Sequence, residues 1–92
     1  MSDMIDTRFP AMPALSRRFR LQWEDAQQAH VLLYPEGMVK LNASAAAILQ
    51  CCDGKTPVAK IVNDLENKFG AADLRADIEG LLAHAYANKW IE

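Results

Sequence analysis

The chain has 92 residues, 51% of them hydrophobic and 24% charged, with a formal net charge of −2 and a pI near 5.6. That is the balance of one ordinary globular domain, able to build a core without metals or disulfides. The charge argues against nucleic acid, which wants clustered Lys and Arg, and no apolar run approaches the roughly 20 residues of a membrane span.

The opening MSDMIDTRFP carries acidic residues and no long apolar stretch. This argues against a secretory signal and for a cytoplasmic protein. The two cysteines are adjacent, Cys51 and Cys52. Neighbours on a helix point about 100° apart and do not easily bridge, so the pair reads as small core or boundary residues in a reducing compartment. His30 and His84 lack a CxxC or HxxxH pattern around them, so no metal site is expected.

Residues 1–14 contain Pro10 and Pro13 and little periodicity. They read as a flexible N-terminal arm ahead of a single domain, residues 15–92. Residues 17–23 then alternate: Phe19, Leu21 and Trp23 share one face, Arg18, Arg20 and Gln22 the other. That is a half-buried antiparallel strand with a solvated basic face. A polar stretch, residues 24–28, leads to a second strand at 29–34. Pro35, Glu36 and Gly37 suggest a three-residue hairpin loop in which the glycine takes φ > 0 as a bulge. Residues 38–41 form the third strand. Asn42 stops it and can cap a helix, because its side chain can accept from the free N–H groups of the first turn.

Three helices follow. The first is expected over 43–52, with Ala45, Ile48, Leu49 and Cys52 inward and Gly54 suited to a left-handed stop. The second opens with Thr56 as cap and Pro57 at the first helical position. Its stripe is Val58, Ile61, Val62, Leu65 and Phe69, and Gly70 ends it. The third opens at Ala72 or Asp73 and runs to Asn88, with Leu74, Ile78, Leu81, Leu82 and Ala85 on its apolar face and Tyr86 at the edge. Trp90 and Ile91 are expected to fold back on the core.

A three-stranded antiparallel sheet followed by three helices is an α+β domain, and its short helix–turn–helix connection makes it winged-helix-like. There is no GxSxG, P-loop, GxGxxG or HExxH, so neither an enzyme nor a bound cofactor is expected. Two features invite a partner. The third strand would be a sheet edge with unpaired main-chain groups. Gly80 sits inside the third helix, where glycine costs about 1 kcal/mol against alanine. Either a neighbouring helix packs close to it, or a bound peptide passes over it.

The segments RLQW, HVLLYPEGMVKLNASAAAIL, the CDG stop, V-x-x-I-V-x-x-L, DIEGLLAHA and the late Trp90 resemble the pyrroloquinoline quinone (PQQ) biosynthesis protein D family, PqqD. The resemblance spans residues 13–91, and LLYPEGMVKLN is its specific part. It implies a precursor-peptide recognition domain that takes an extended peptide beside strand three, in a groove shared with the third helix. The positions carried over are Gly37, Met38, Val39, Lys40 and Leu41 on the strand. On the helix they are Leu74, Asp77, Ile78, Leu81, Leu82 and Ala85, some of which must serve the core. The implied partners are the PQQ precursor peptide and the radical S-adenosylmethionine enzyme that links its Glu and Tyr. One departure is that glycine is expected just before the late tryptophan, where this chain has Asn88 and Lys89.

Two other readings compete. A winged-helix DNA-binding protein would need a basic recognition helix, whereas Lys60 and Lys68 sit with Asp64 and Glu66, and Arg75 and Lys89 with Asp73, Asp77 and Glu79. An edge-paired or strand-swapped dimer is the alternative to a monomer.

Overall fold

Alternation of apolar and polar side chains sets the register of the sheet. A computed structural model describes residues 7–92. Its strands, β1 (Arg20–Glu24), β2 (Ala29–Tyr34) and β3 (Gly37–Lys40), form an antiparallel meander in the order β1-β2-β3. Leu21 lies opposite Leu32, and Leu32 opposite Val39. Leu32 is fully buried and the other two pack against the same core, so this row marks the inner face. Arg20, Gln22, Met38 and Lys40 alternate onto the outer face. A slip of one residue would exchange the two faces, which is why the pattern fixes the pairing.

The hairpin between β2 and β3 is tighter than the sequence suggests. Tyr34 pairs with Gly37, leaving a loop of Pro35 and Glu36 only, and Gly37 does not adopt a positive φ. No glycine bulge forms. A Cβ at Gly37 would already meet the Tyr34 hydroxyl at 3.4 Å. That is an ordinary van der Waals contact, and the tyrosine ring itself packs 5.3 Å from the Phe19 ring.

The helices are α1 (Ala43–Gln50), α2 (Val58–Phe69) and α3 (Arg75–Ala87). Asn42 caps α1 as expected, its side-chain oxygen accepting from the Ala45 N–H at 2.7 Å. Thr56 does not cap α2, and Pro57 stands one position before the helix rather than inside it. Asp53 is the reason. Its carboxylate accepts from the Lys55 and Thr56 N–H groups at 2.8 and 2.9 Å and from the Thr56 hydroxyl at 3.0 Å, so that hydroxyl is already committed. The N–H of Val58 is satisfied by the carbonyl of Ala11, at 3.1 Å. Gly70 ends α2 at φ 61°.

α3 starts later than expected, because Asp73 takes φ 62° and Leu74 caps the helix. The Leu74 N–H donates to the Glu66 carboxylate at 3.0 Å, so α2 supplies the cap. At the far end the left-handed residue is Lys89, at φ 65°, directly before Trp90. The Trp90 N–H reaches back to the Ala85 carbonyl at 2.8 Å, closing a Schellman-type turn. The position where the family resemblance calls for glycine is therefore the one that needs it, and lysine holds it at a cost of roughly 1 kcal/mol.

α1 packs against β1, β2, α2 and α3, so it stands at the centre. Leu32, Leu49, Ile61, Leu82 and Ile91 are the largest fully buried apolar side chains around it. Phe9 joins them, only 8% exposed. Residues 1–6 of the expected arm lie outside the described residues, but its later part is not free. Pro13 is fully buried. Ala14 exchanges hydrogen bonds with Glu92 at 3.0 and 2.8 Å, Leu15 donates to Cys52 at 3.1 Å, and Ser16 donates to Trp90 at 2.8 Å. The Gly54 N–H donates to Pro13 at 2.9 Å. Gly54 is left-handed at φ 76°, and a Cβ there would stand 3.2 Å from that of Ala14.

No neighbouring helix packs close to Gly80: it is exposed on α3, with nothing within 4 Å of where a Cβ would be. Thermal melts should therefore separate two substitutions in opposite directions. Gly80→Ala should stabilise by about 1 kcal/mol, and Phe9→Ala should destabilise by about 3–5 kcal/mol.

Asp53 adds a pH dependence. Its carboxyl is held below the ordinary value of 3.8, first by the Lys55 N–H and then by the Thr56 hydroxyl. A carboxylate lowered on folding stabilises the fold above its unfolded value, and that contribution fades as pH falls through the folded value. Asp53→Ala should lower the melting temperature at neutral pH. The gap from the parent protein should narrow on acidification below 3.8.

Candidate functional site

The site begins at an open strand. Among the described residues β3 pairs with β2 alone, so one of its sides is a free edge. The Leu41 N–H bonds to the His30 carbonyl at 2.9 Å, which fixes the phase of the ladder. Hydrogen-bonded pairs alternate along antiparallel strands. With Val39 opposite Leu32 and Gly37 opposite Tyr34, the main-chain groups of Gly37, Val39 and Leu41 point at β2. Those of Met38 and Lys40 point outward to the free edge. The side chains divide the other way, across the two faces: Met38 and Lys40 outer, Val39 and Leu41 inner.

The chain on either side of β3 meets the two ends of α3 across shared clefts. The hairpin leading into β3 and the end of α3 share a cleft of about 430 Å³, in which Phe19, Tyr34 and Glu36 face Tyr86, Asn88 and Lys89. Immediately after β3, Ala43 and Ser44 share a second cavity, of about 290 Å³, with Leu74, Asp77 and Ile78 at the start of α3. The strand edge and the helix are thus bracketed by concave surfaces at both ends. On α3, Leu74, Asp77, Leu81, His84 and Asn88 fall at steps of three and four residues, which places them on one stripe. Glu79 is on the other flank, held by Arg75 at 2.9 Å and Arg8 at 3.5 Å.

The eleven residues carried over from the family divide by burial. Gly37, Met38, Lys40 and Asp77 are exposed, and Val39, Leu74 and Leu81 are half-buried. These seven are available to a ligand. Leu41, Ile78, Leu82 and Ala85 are buried in the core, so they shape the groove from beneath. Ile78 also reaches the floor of the 290 Å³ cavity. Residues that the sequence did not single out as site residues are Ala43, Ser44, Ile48, Leu65, Phe69 and Ala71, which complete that cavity. Phe69 reads as the last residue of the α2 core stripe, yet it is 53% exposed. Its place directly before the Gly70 stop is the one available signal, since a helix end can outrun the core beneath it.

Charge at the site is sparse. Asp77 has no hydrogen-bond or ion-pair partner among the described residues. Arg18 and Glu36 lie 3.6 Å apart, both about two-thirds exposed, and an ion pair so hydrated contributes little. No cluster of three or more His, Cys, Asp or Glu side chains is arranged to hold a metal ion among the described residues. No described helix is long and apolar enough to cross a membrane. A further cavity, about 480 Å³, shares Ala43 and Phe69 with the 290 Å³ one and extends to Trp23, Ala46 and Ala47.

Residues 29–91 match the family model of coenzyme PQQ synthesis protein D (PqqD). The chain is 50% identical over 90 residues to a PqqA binding protein of Azotobacter vinelandii, covering 97% of this chain and 98% of that one. It is 49% identical over 77 residues to a PqqA binding protein of Methylococcus capsulatus, covering 84% and 83%. The fold is similar to a solution NMR structure of the PqqD truncation of Methylobacterium extorquens PqqCD, with a TM-score of 0.75 and 33% identity over 91% of this chain and 94% of that one. That truncation is described as a functional and stand-alone recognition element for ribosomally synthesized and post-translationally modified peptides.

The two thiols belong to neither concave end of the groove. Each bonds to a carbonyl one helical turn back, Cys51 to Ala47 at 3.4 Å and Cys52 to Ile48 at 3.5 Å. Burial pushes Cys52 up to about 12, helped by Cys51 and Asp53, from an ordinary 9.0. Burial also raises Cys51, with Asp64 adding to it. The thiolate fraction of Cys52 should lie about three orders of magnitude below that of an ordinary cysteine. At pH 8, iodoacetamide should label the native protein far more slowly than a free cysteine peptide, with Cys51 modified before Cys52. Mass spectrometry over a time course reads both rates.

Proposed function

This chain belongs to the coenzyme PQQ synthesis protein D family, and from that premise we propose that it is a non-catalytic peptide chaperone of PQQ biosynthesis. It binds the ribosomal precursor peptide, PqqA, and presents it to the radical S-adenosylmethionine enzyme that joins a Glu and a Tyr of that peptide. The iron–sulfur and S-adenosylmethionine chemistry belongs to the enzyme. The observation that carries this reading is the free edge of β3, flanked on both sides by clefts that the chain shares with the two ends of α3. An extended peptide is the ligand that an open strand edge fits, because it supplies the missing ladder. A DNA-binding reading has less to stand on, since Lys60 is bound to Asp64 at 3.2 Å and Arg75 to Glu79 at 2.9 Å.

The edge alone gives weak binding. Met38 and Lys40 offer one N–H and one C=O each, and every main-chain bond contributes roughly 0.5–1.5 kcal/mol net. Micromolar affinity needs roughly −8 kcal/mol, so peptide side chains set against α3 must contribute the rest and the selectivity.

Titration of ¹⁵N-labelled protein with PqqA tests this. Amide shifts should map to residues 37–41 and the 74–88 stripe of α3. Met38→Pro deletes an outward N–H and leaves the β2 ladder intact, so it should weaken every peptide about tenfold without unfolding the sheet. Leu81→Ala should weaken chiefly peptides with a matching apolar residue. Shifts confined to β1 and α2, with β3 silent, would sink the proposal.

A further inference from the structure

The 290 Å³ cavity is built in an unusual place for an empty one. Ile48, Leu65 and Ile78 form its floor and belong to the buried core. Its walls are Phe69, which is 53% exposed, and the half-buried Leu74. Ser44 and Asp77 are the polar side chains at its rim. Its size falls just below the roughly 300–1,000 Å³ of small-molecule sites, which suits one amino-acid side chain.

Position and charge say what enters it. Ala43 and Ser44 follow β3 after only two residues, so the cavity lies where a strand added at Met38 and Lys40 runs off the edge. Asp77 brings a negative charge with no partner among the described residues, and neither has nearby Asp73 one. An unpaired carboxylate beside an apolar hollow complements an apolar residue with a cationic neighbour.

We propose that this cavity is an anchor subsite for the bound peptide. It takes one large aliphatic or aromatic side chain, and a Lys or Arg two positions away in the peptide, on the same face of the added strand, meets Asp77. The subsite rests on the peptide-binding reading above and deepens it, because it places the selective contact on α1 and α2 as well as on α3. Burying a side chain of leucine or phenylalanine size contributes about ten- to hundredfold in affinity.

The probe is synthetic PqqA of Azotobacter vinelandii, followed by calorimetry against the full chain. Ser44 is exposed, so Ser44→Phe fills the cavity from its rim without replacing a core side chain or altering the β3 edge. It should weaken binding about ten- to hundredfold while the thermal melt is unchanged. Phe69→Ala removes an exposed wall and should also weaken binding. Each apolar residue of the peptide is then replaced by alanine in turn. One replacement should cost the parent protein as much as Ser44→Phe does and cost the Ser44→Phe protein almost nothing more. Asp77→Lys should weaken binding and invert its salt dependence. Unchanged affinity in Ser44→Phe and Phe69→Ala overturns the subsite alone, as does a full extra cost for every alanine replacement in the filled protein. Unchanged affinity in Asp77→Lys overturns the cationic neighbour. No binding by the parent protein overturns the peptide reading, and the subsite falls with it.

Discussion

The fold depends on main-chain hydrogen bonds that residues 11–16 make in three directions. Ala11 accepts from the first N–H of α2, Pro13 and Leu15 hold the turn after α1, and Ala14 and Ser16 hold the tail after α3. Each of those places is a helix end or a turn, where backbone groups have no partner within the element. A buried group of this kind is costly when unpaired. One extended strand therefore satisfies three separate ends, and it can do so because it is not itself committed to a helix or to the main sheet.

That clasp also positions the groove. Ser16 is tied to Trp90, and four residues later the chain enters β1. The end of α3 is thereby fixed relative to the sheet at the cleft where Phe19 and Tyr34 face Tyr86. The start of α3 is fixed by different means: Glu66 of α2 caps it, and Ile78 reaches the α1 core. Both ends of α3 are anchored through other elements, and none of these anchors uses the outward groups of β3. The edge stays open because the scaffold does not need it.

Much of this was legible in the sequence, and the gaps have a common cause. Strand alternation, the Asn42 cap, the α2 stripe and the Gly70 stop rest on near neighbours in the chain, which a local pattern records, whereas α1 ends at Gln50, ahead of the expected Gly54 stop, and Gly54 meets Pro13 and Ala14. The role of residues 9–14 rests on partners 40 to 80 residues away, and an extended segment with two prolines has no periodicity to announce it. Thr56 has the features of a cap, but a carboxylate three residues earlier claims it. Gly37 was legible as a turn glycine, yet it takes no positive φ and a Cβ there would make only ordinary contact with Tyr34. On α3, eight of thirteen helical residues are apolar or aromatic, so core and groove positions look alike until burial separates Leu82 from Leu81.

An open edge invites unwanted pairing as readily as the intended kind, and β3 limits this by being short. It has four residues, of which only Met38 and Lys40 face outward through the backbone. Pairing through so few groups is weak for any extended chain. A second copy of the protein would gain those bonds and bring Lys40 against its own charge, a known deterrent at sheet edges. A peptide gains the same bonds and can also place side chains into the concave surfaces beside α3. In the proposed binding mode the backbone of β3 provides register, and the helix side decides which chain stays bound. Because side chains alternate along an added strand, only every second peptide residue turns toward α3. Selection through the groove is thus confined to residues two apart, with the positions between them left to solvent and the outer face.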